Sequence, residues 1–547
     1  MLLAALVCIN MLAARFHRGL DLTSEKRFTL TQPTKQLLQK MEDFAVVDVL
    51  LEGDNFPAGF QRLQESVRER LQSFRDASGG KVVFTFRDPF EGKDQKEKAE
   101  IFEKFAKKGA FGVNIKQGGD EKYSEQIVFP YALVSYKGRE TPVRLLEKRM
   151  GFTPLEQLNY SESQLEYKFA SAISGLIRPD KPRIAYLMGN GEALGWGTFD
   201  GLSTLQSLYH LDTVDISTGT HIPIIYDAAI ICKPTVAFDE KTKFKLDQYV
   251  MNGGHLLMLL DGANASMDSL KSQQYLATGV DLNLEDILFK WGARVNPDLI
   301  EDLQSNRIPV MVGEQSQLYR WFYLPVFIPT SKHPIVRNMD GIMGMYVSTI
   351  DTIANPEVRK TILLESSQYS RPTMTPARIS LSMLRYEPRQ ELYNKGYKAT
   401  AVLLEGKFQS VFQSRLAPEF LQVLKDSIRQ PYKDVADSPG SIIVISDGDI
   451  FLNSINRKTG PYEMGYWDVD NVQYANKSFI LNCLEYLTNH SGILEARNKD
   501  VRLRLIDAGR AKTERNKWQT INIVVPLGLV LIFASAYIFF RRRRYAG

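Results

Sequence analysis

The chain has 547 residues, of which 44% are hydrophobic and 24% charged, with a formal net charge of +5. That length suggests three or more domains of ordinary globular composition, with ample sequence to bury several cores. Arg541–Arg544 account for most of that net charge, so the rest is nearly neutral and no broad basic surface for nucleic acid is implied.

Residues 1–14, MLLAALVCINMLAA, are apolar. As a helix they would reach only roughly 21 Å, short of a bilayer. With no basic leader, they fit the remainder of a longer signal anchor, or a short signal sequence cut after Ala14. Thr31 and Thr34 around Pro33 signal a helix start, with helix continuing through Gln36–Met41. Ala45–Leu51 is β-branched and apolar, a strand. Phe60, Leu63, Val67, Leu71 and Phe74 recur at helical steps and give one apolar face, which Gly79-Gly80 end. Lys81–Phe86 is a strand and Gln95–Lys108 a charged helix. Gln126–Tyr136 and Thr141–Leu146 form a strand pair through Lys137-Gly138. This order predicts a compact α/β domain over residues 20–150, thioredoxin-like in outline but without the redox CxxC.

A long helix is predicted from Ser161, with Leu165, Phe169, Ile173 and Ile177 on one face; Pro179 and Pro182 end it. Strands follow at Arg183–Met188, Asp227–Cys232, His255–Leu260 and Ser441–Ser446, with helices at Asp239–Met251 and Asn476–Thr488. The alternation predicts a parallel sheet covered on both faces, built from 160–295 and 440–490. Residues 296–439 read as an inserted region of mixed short strands and loops, interrupted by prolines. Residues 495–517 form a charged lead into the last segment.

That last segment, 518–544, is the strongest signal in the chain. Ile521–Phe540 carries no charge, and twenty helical residues span roughly 30 Å, a bilayer's hydrocarbon thickness. Trp518 and Tyr537 sit near its ends, and Arg541, Arg542, Arg543 and Arg544 close it as a basic stop. Gly528, Ala534, Ser535 and Ala536 place small residues among bulky ones, as close helix packing in a membrane requires. A buried core helix is the alternative, disfavoured by the length, the absence of charge and the arginine block.

Three groups of residues are candidates for chemistry. Gly189-Asn190-Gly191-Glu192 follows a strand, and Asp261 and Asp447 end two others. In an open parallel sheet ligands bind at the carboxyl ends of strands, so these residues would share one ligand-binding rim. The alternative, and the favoured reading, is that glycine and aspartate there simply form strand-to-helix turns. Cys232 also ends a strand, but Lys233-Pro234 replaces the glycine-flanked elbow that a nucleophile needs. Cys232 and Cys483 fit either a disulfide or two buried thiols. Trp196, Trp291, Trp321 and Trp467 could stack on a sugar or simply pack. The six histidines show no metal-ligand spacing, and no GxxxxGK[ST] occurs, so no metal, no cofactor and no ATP hydrolysis are expected.

Two pairs of motifs carry a resemblance. DLTSEKRFTLTQPTKQLL at Asp21–Leu38 and LLEGDNFPAGFQRL at Leu50–Leu63 resemble the start of the GldG family of gliding-motility proteins. SDGDI at Ser446–Ile450 and YANKSFILNCLEYLTN at Tyr474–Asn489 resemble that family's C-terminal half, and the closing membrane helix agrees. The match is loosest over 296–398. The resemblance implies an auxiliary, often substrate-binding, component of an ABC-type transport system. Such a component sits in the cytoplasmic membrane with its bulk in the periplasm, beside a multi-spanning permease and, through it, a separate ATPase. It also implies a central domain similar to one in an intraflagellar-transport subunit, and distantly to amidotransferase-like folds. The expectation is therefore a non-enzymatic, membrane-anchored subunit that binds the permease and a carbohydrate or other envelope ligand. The alternative is an amidotransferase- or hydrolase-like enzyme acting on envelope material, whose elbow and triad the sequence lacks.

Overall fold

In the computed structural model, the structure describes residues 29–545 except 54–55, 108–109, 111, 120–121, 148–151, 179, 273, 417–421, 423–431, 457, 459, 490–491 and 499–512. The apolar run 1–14, residues 21–28 of the first family motif and residues 499–512 of the charged lead 495–517 therefore lie outside the described residues. The chain divides into two units, Met1–Lys499 and Asp500–Gly547.

The first unit begins with helix α1 (Gln32–Gln39), strand β1 (Ala45–Val49), helix α2 (Ala58–Ala77), strand β2 (Val82–Phe86) and helix α3 (Gln95–Lys107). A hairpin of β3 (Val113–Gly119) and β4 (Lys122–Val128) follows, then β5 (Tyr131–Tyr136) and β6 (Arg139–Arg144). The sheet order is β2-β1-β5-β6, with β1 parallel to β2 and antiparallel to β5. The span Gln126–Tyr136, expected as one strand, is two: β4 pairs with β3, and β5 crosses to β1. Lys137 (φ 47°) and Gly138 (φ 78°) make the β5–β6 turn. Successive left-handed residues match the twist of a two-residue hairpin.

Helix α2 buries Leu63, Val67, Leu71 and Phe74, the expected face. It packs beside α4 (Pro154–Ile177) on one core that includes Val47, Val49, Val134, Phe169 and Ile173. The expected start of α4 at Ser161 is a correction. The helix begins at Pro154, because Thr153 and Glu156 form a reciprocal capping box that satisfies the first free amides. Its first turns bury polar groups that bond outside the helix: Glu162 accepts from Arg62 Nε at 2.7 Å, and Glu166 from the Thr31 amide at 2.6 Å.

Beyond α4 come β7 (Arg183–Met188), α5 (Phe199–Leu208), β8 (His210–Asp215), β9 (Ala228–Cys232), α6 (Glu240–Met251), β10 (His255–Leu259) and α7 (Glu285–Trp291). Later in the chain β11 (Val358–Glu365), β12 (Ala399–Gly406), β13 (Gly440–Ile445) and α8 (Asn476–Thr488) complete the layer. They form a seven-stranded sheet of order β11-β12-β13-β10-β9-β7-β8. The five strands from β13 to β8 are parallel, and β12 and β11 add antiparallel to that edge. Because strand side chains alternate, Leu256, Met258, Ile442 and Val444 face α6 and α7. Leu257, Leu259, Ile443 and Ile445 face α8. Both faces are covered, which is why β9 and β10 read as unbroken apolar runs. Shorter ladders between 263 and 380 pack around Trp321, Tyr323 and Tyr346.

The second unit is a single helix, α9 (Arg515–Tyr545), with Pro526 inside it. Among the described residues it is the one helix long and apolar enough to cross a membrane, and none of its apolar stretch is buried. Trp518 is 54% and Tyr537 59% exposed.

Candidate functional site

The loops after β7, β9, β10 and β13 emerge at the carboxyl edge of the parallel strands, and they carry the sequence-predicted residues. Gly189 (φ 124°) and Gly191 (φ 75°) hold left-handed conformations that other residues rarely adopt. A Cβ on Gly191 would lie 2.2 Å from the Thr235 hydroxyl oxygen, so this loop is shaped against the one after β9. The amides of Thr235 and Val236 donate to the Asn190 carbonyl at 3.0 and 2.9 Å. The Asn190 side chain donates to the Ala237 carbonyl at 3.2 Å. Glu192 folds back to accept from the Asn190 amide at 2.8 Å. Burial raises its pKa above the ordinary carboxylate value. Two acceptor atoms here, Glu192 Oε1 and Asn190 Oδ1, are buried with no hydrogen-bond partner. A protonated Glu192, or a bound donor, would satisfy one of them.

Asp261 and Asp447 meet at a second point on the same edge, around a residue that sequence reasoning passed over. Lys233, directly after β9, takes a left-handed conformation (φ 51°) and sends its ammonium between Asp261 (3.2 Å) and Asp449 (2.5 Å). Asp261 also accepts from the Gly448 amide at 2.7 Å. Asp447 is wholly buried; its two oxygens accept from the Met345 and Asp449 amides, each at 2.8 Å. Burial, reinforced by Asp449 and Asp261, pushes Asp447 well above the usual carboxylate range. Asp449 is raised by burial against the pull of Lys233. Burial lowers the Lys233 pKa, but Asp449 and Asp261 outweigh it, and the net shift is upward. Three carboxylates and one ammonium thus close a network across the ends of three neighbouring strands. Lys233 stood in the sequence as the residue that spoils a nucleophile elbow, and Asp449 as the second acid of the SDGDI motif. Nothing local linked them.

The rim is therefore two clusters. The hydrogen bonds of Gly189–Glu192 run to the 235–237 loop, and those of Asp261 and Asp447 to Lys233, Met345, Gly448 and Asp449. Between them lies Cys232, fully buried; burial pushes its thiol up to about 12, which leaves almost no thiolate at neutral pH. Cys232 and Cys483 are both free and share one core. Trp291, Trp321 and Trp467 are buried, whereas Trp196 is 64% exposed beside Phe199, their ring centroids 5.7 Å apart. No cluster of three or more metal-ligating side chains occurs among the described residues.

Comparison with known proteins adds a family. The model described as ABC-type uncharacterized transport system, for its auxiliary component, matches residues 181–483, the stretch that holds both clusters. A domain of unknown function matches residues 24–135. No curated protein matches the chain. Among solved structures, the mmIFT52 N-terminal domain is 13% identical, with 59% of this chain and 100% of that one covered at a TM-score of 0.32. Exo-beta-1,4-mannosidase Op5Man5 from Opitutaceae bacterium strain TAV5 is 10% identical, with 74% and 47% covered at a TM-score of 0.19. At these scores neither likeness bears on fold or function.

Proposed function

This chain belongs to the auxiliary-component family of the ABC-type uncharacterized transport system, and we propose that it serves there as a non-enzymatic subunit tethered to the cytoplasmic membrane. The observation that carries the proposal is α9, an apolar helix with no buried stretch that ends in four arginines. Arginines favour the cytoplasmic side, so residues from about 20 to 515 would lie in the periplasm. The tether would hold them beside a multi-spanning permease, with a separate ATPase on the other side supplying energy. The resemblance to the GldG family adds gliding motility as the process served and an amidotransferase-like central domain, and the order of elements over residues 20–150 adds a thioredoxin-like N-terminal one. On this reading the carboxyl-edge rim of Gly189–Glu192, Asp261 and Asp447 faces an envelope ligand. The two unpartnered acceptors of Asn190 and Glu192 support a hydrogen-bond donor there, such as a carbohydrate hydroxyl. An enzyme of the amidotransferase or hydrolase class is less well supported, because Cys232 is sealed in the core.

Protease added to intact spheroplasts tests the placement. It should remove the large unit and leave a fragment of α9 in the membrane. Protection until the inner membrane is breached would reverse the orientation.

A further inference from the structure

A cavity of about 530 Å³ opens between α7 and the loop 410–415, within the usual range for small-molecule sites. Its lining includes three cations, Lys290, Arg294 and Arg415, and two carboxylates, Glu285 and Asp286. Asp286 is already compensated from beneath. The Lys243 ammonium, on a side chain only 1% exposed, lies 2.8 Å from it. Arg415 stands 3.7 Å from Asp286, beyond hydrogen-bond distance. Arg294 donates through Nε to Asn296 at 2.8 Å and approaches Asp351 only at 3.9 Å, so much of its fork is uncommitted. Lys290 makes no ion pair among the described residues. Phe289, 54% exposed, adds an aromatic ring to the same lining.

The floor is fixed. Asp247, buried on α6, accepts from the Ser410 hydroxyl at 2.6 Å and the Val411 amide at 3.0 Å. Phe412 packs edge-on against Phe244 with centroids 5.3 Å apart. Three cations against two carboxylates, one of them already paired with Lys243, leave the lining net positive on a fixed floor, which favours an oxyanion. Arginine meets carboxylate or phosphate with paired N–H groups, and charge-assisted bonds are the strong ones. We propose that this cavity binds a small organic anion, with its carboxylate or phosphate held by Lys290, Arg294 and Arg415 and its apolar part against Phe289. Such an anion is either a free solute or the headgroup of an anionic lipid.

The test uses the full chain in zwitterionic nanodiscs, with phenyl phosphate as the titrant in calorimetry. Saturable binding of one phenyl phosphate per chain is expected, weakened at least about tenfold by Lys290→Gln or Arg415→Gln. Arg415 is exposed and Lys290 half-buried, and circular dichroism checks that the variants fold. Phe289→Ala should weaken phenyl phosphate more than inorganic phosphate. Displacement by phosphatidylglycerol nanodiscs assigns the anion to a lipid headgroup, and its absence assigns it to a solute; both uphold the site. No saturable binding, or equal binding by wild type and the Lys290→Gln/Arg415→Gln double variant, overturns the proposal. The heat signal is independent of topology, so this result and the protease result stand or fall separately.

Discussion

Replacing Lys233 with methionine isolates what the ion network at the sheet's edge contributes. Methionine keeps much of the apolar stem and removes only the ammonium. Asp261 and Asp449 then face each other uncompensated, with buried Asp447 two residues before Asp449 and accepting from its amide. Breaking a buried pair by deleting one partner costs about 3–5 kcal/mol. Lys233 is 22% and each carboxylate 15% exposed, so the lower end, about 3 kcal/mol, applies. At about 1.36 kcal/mol per decade, that is roughly a hundredfold loss of protection against local opening. Hydrogen exchange read on a peptide covering Gly448 and Asp449, whose amides donate to Asp261 and Asp447, measures it directly. The sign with pH follows from the upward shifts of Asp447 and Asp449. A carboxyl whose folded pKa is raised gives stability that is complete below its unfolded value and lost as pH rises through the folded one. Without the ammonium those folded values climb further, so the penalty of Lys233→Met should be largest at neutral pH and shrink toward pH 4. Adding Asp449→Asn should recover at least about 1 kcal/mol, since contacting groups couple. A penalty that is flat with pH, together with simple additivity in the double variant, would refute the electrostatic account and leave packing as the cause.

Three other outcomes follow from the same edge and its neighbours. Burial raises Asp247 to about 6, so its contribution to stability should fall as pH rises from about 4 through 6, by about 3 kcal/mol in all; denaturation of Asp247→Asn across that window should show a flatter slope. Gly191→Ala adds a Cβ 2.2 Å from Thr235 Oγ1 at a left-handed backbone, and should destabilise by about 1–3 kcal/mol, with exchange rising in the 235–237 loop first. Cys232 should resist alkylation in the native protein, and Cys232→Ser should retain function apart from a packing penalty. Loss of function in a folded Cys232→Ser protein would reopen the enzymatic alternative.

Elements whose cause is local were legible in the sequence. The α2 face shows in the spacing of Leu63, Val67, Leu71 and Phe74, and β9 and β10 in their unbroken apolar runs. What failed was non-local. The expected helix start at Ser161 falls seven residues late, and nothing local marks Glu162 and Glu166 as buried; they bond to Arg62 and Thr31, 100 and 135 residues away. Strands β11 and β12 lie in a region read as mixed short strands and loops, inserted before the sheet resumes. Their place in the sheet depends on Val402 and Leu404 meeting Val444 and Ile442, a pairing that leaves no mark in either segment alone. Lys233 and Asp449 lie 216 positions apart. The strand ends were readable, but which groups answer one another across them was fixed by sheet order.

The role of α9 beyond tethering is decided by a substitution at the level of the whole helix. We propose that it docks against the permease as well as anchoring the chain. Lipid tails are as apolar as leucine, so a helix gains by associating in a bilayer only through close packing, which small residues permit. Gly528 and Ala534 are the small residues to test, and a Cβ at Gly528 would meet no side chain of α9 within 4 Å. Within the helix, that position leaves room for a neighbouring helix to approach closely. Exchanging 518–540 for an unrelated apolar span of equal length preserves insertion and the large unit while removing any specific face. Docking requires that permease co-purification then fails. Gly528→Leu and Ala534→Leu should each reduce it in proportion to the bulk added, without changing membrane insertion. Full recovery of the complex with the exchanged helix would limit α9 to a tether and move the contacts to the large unit.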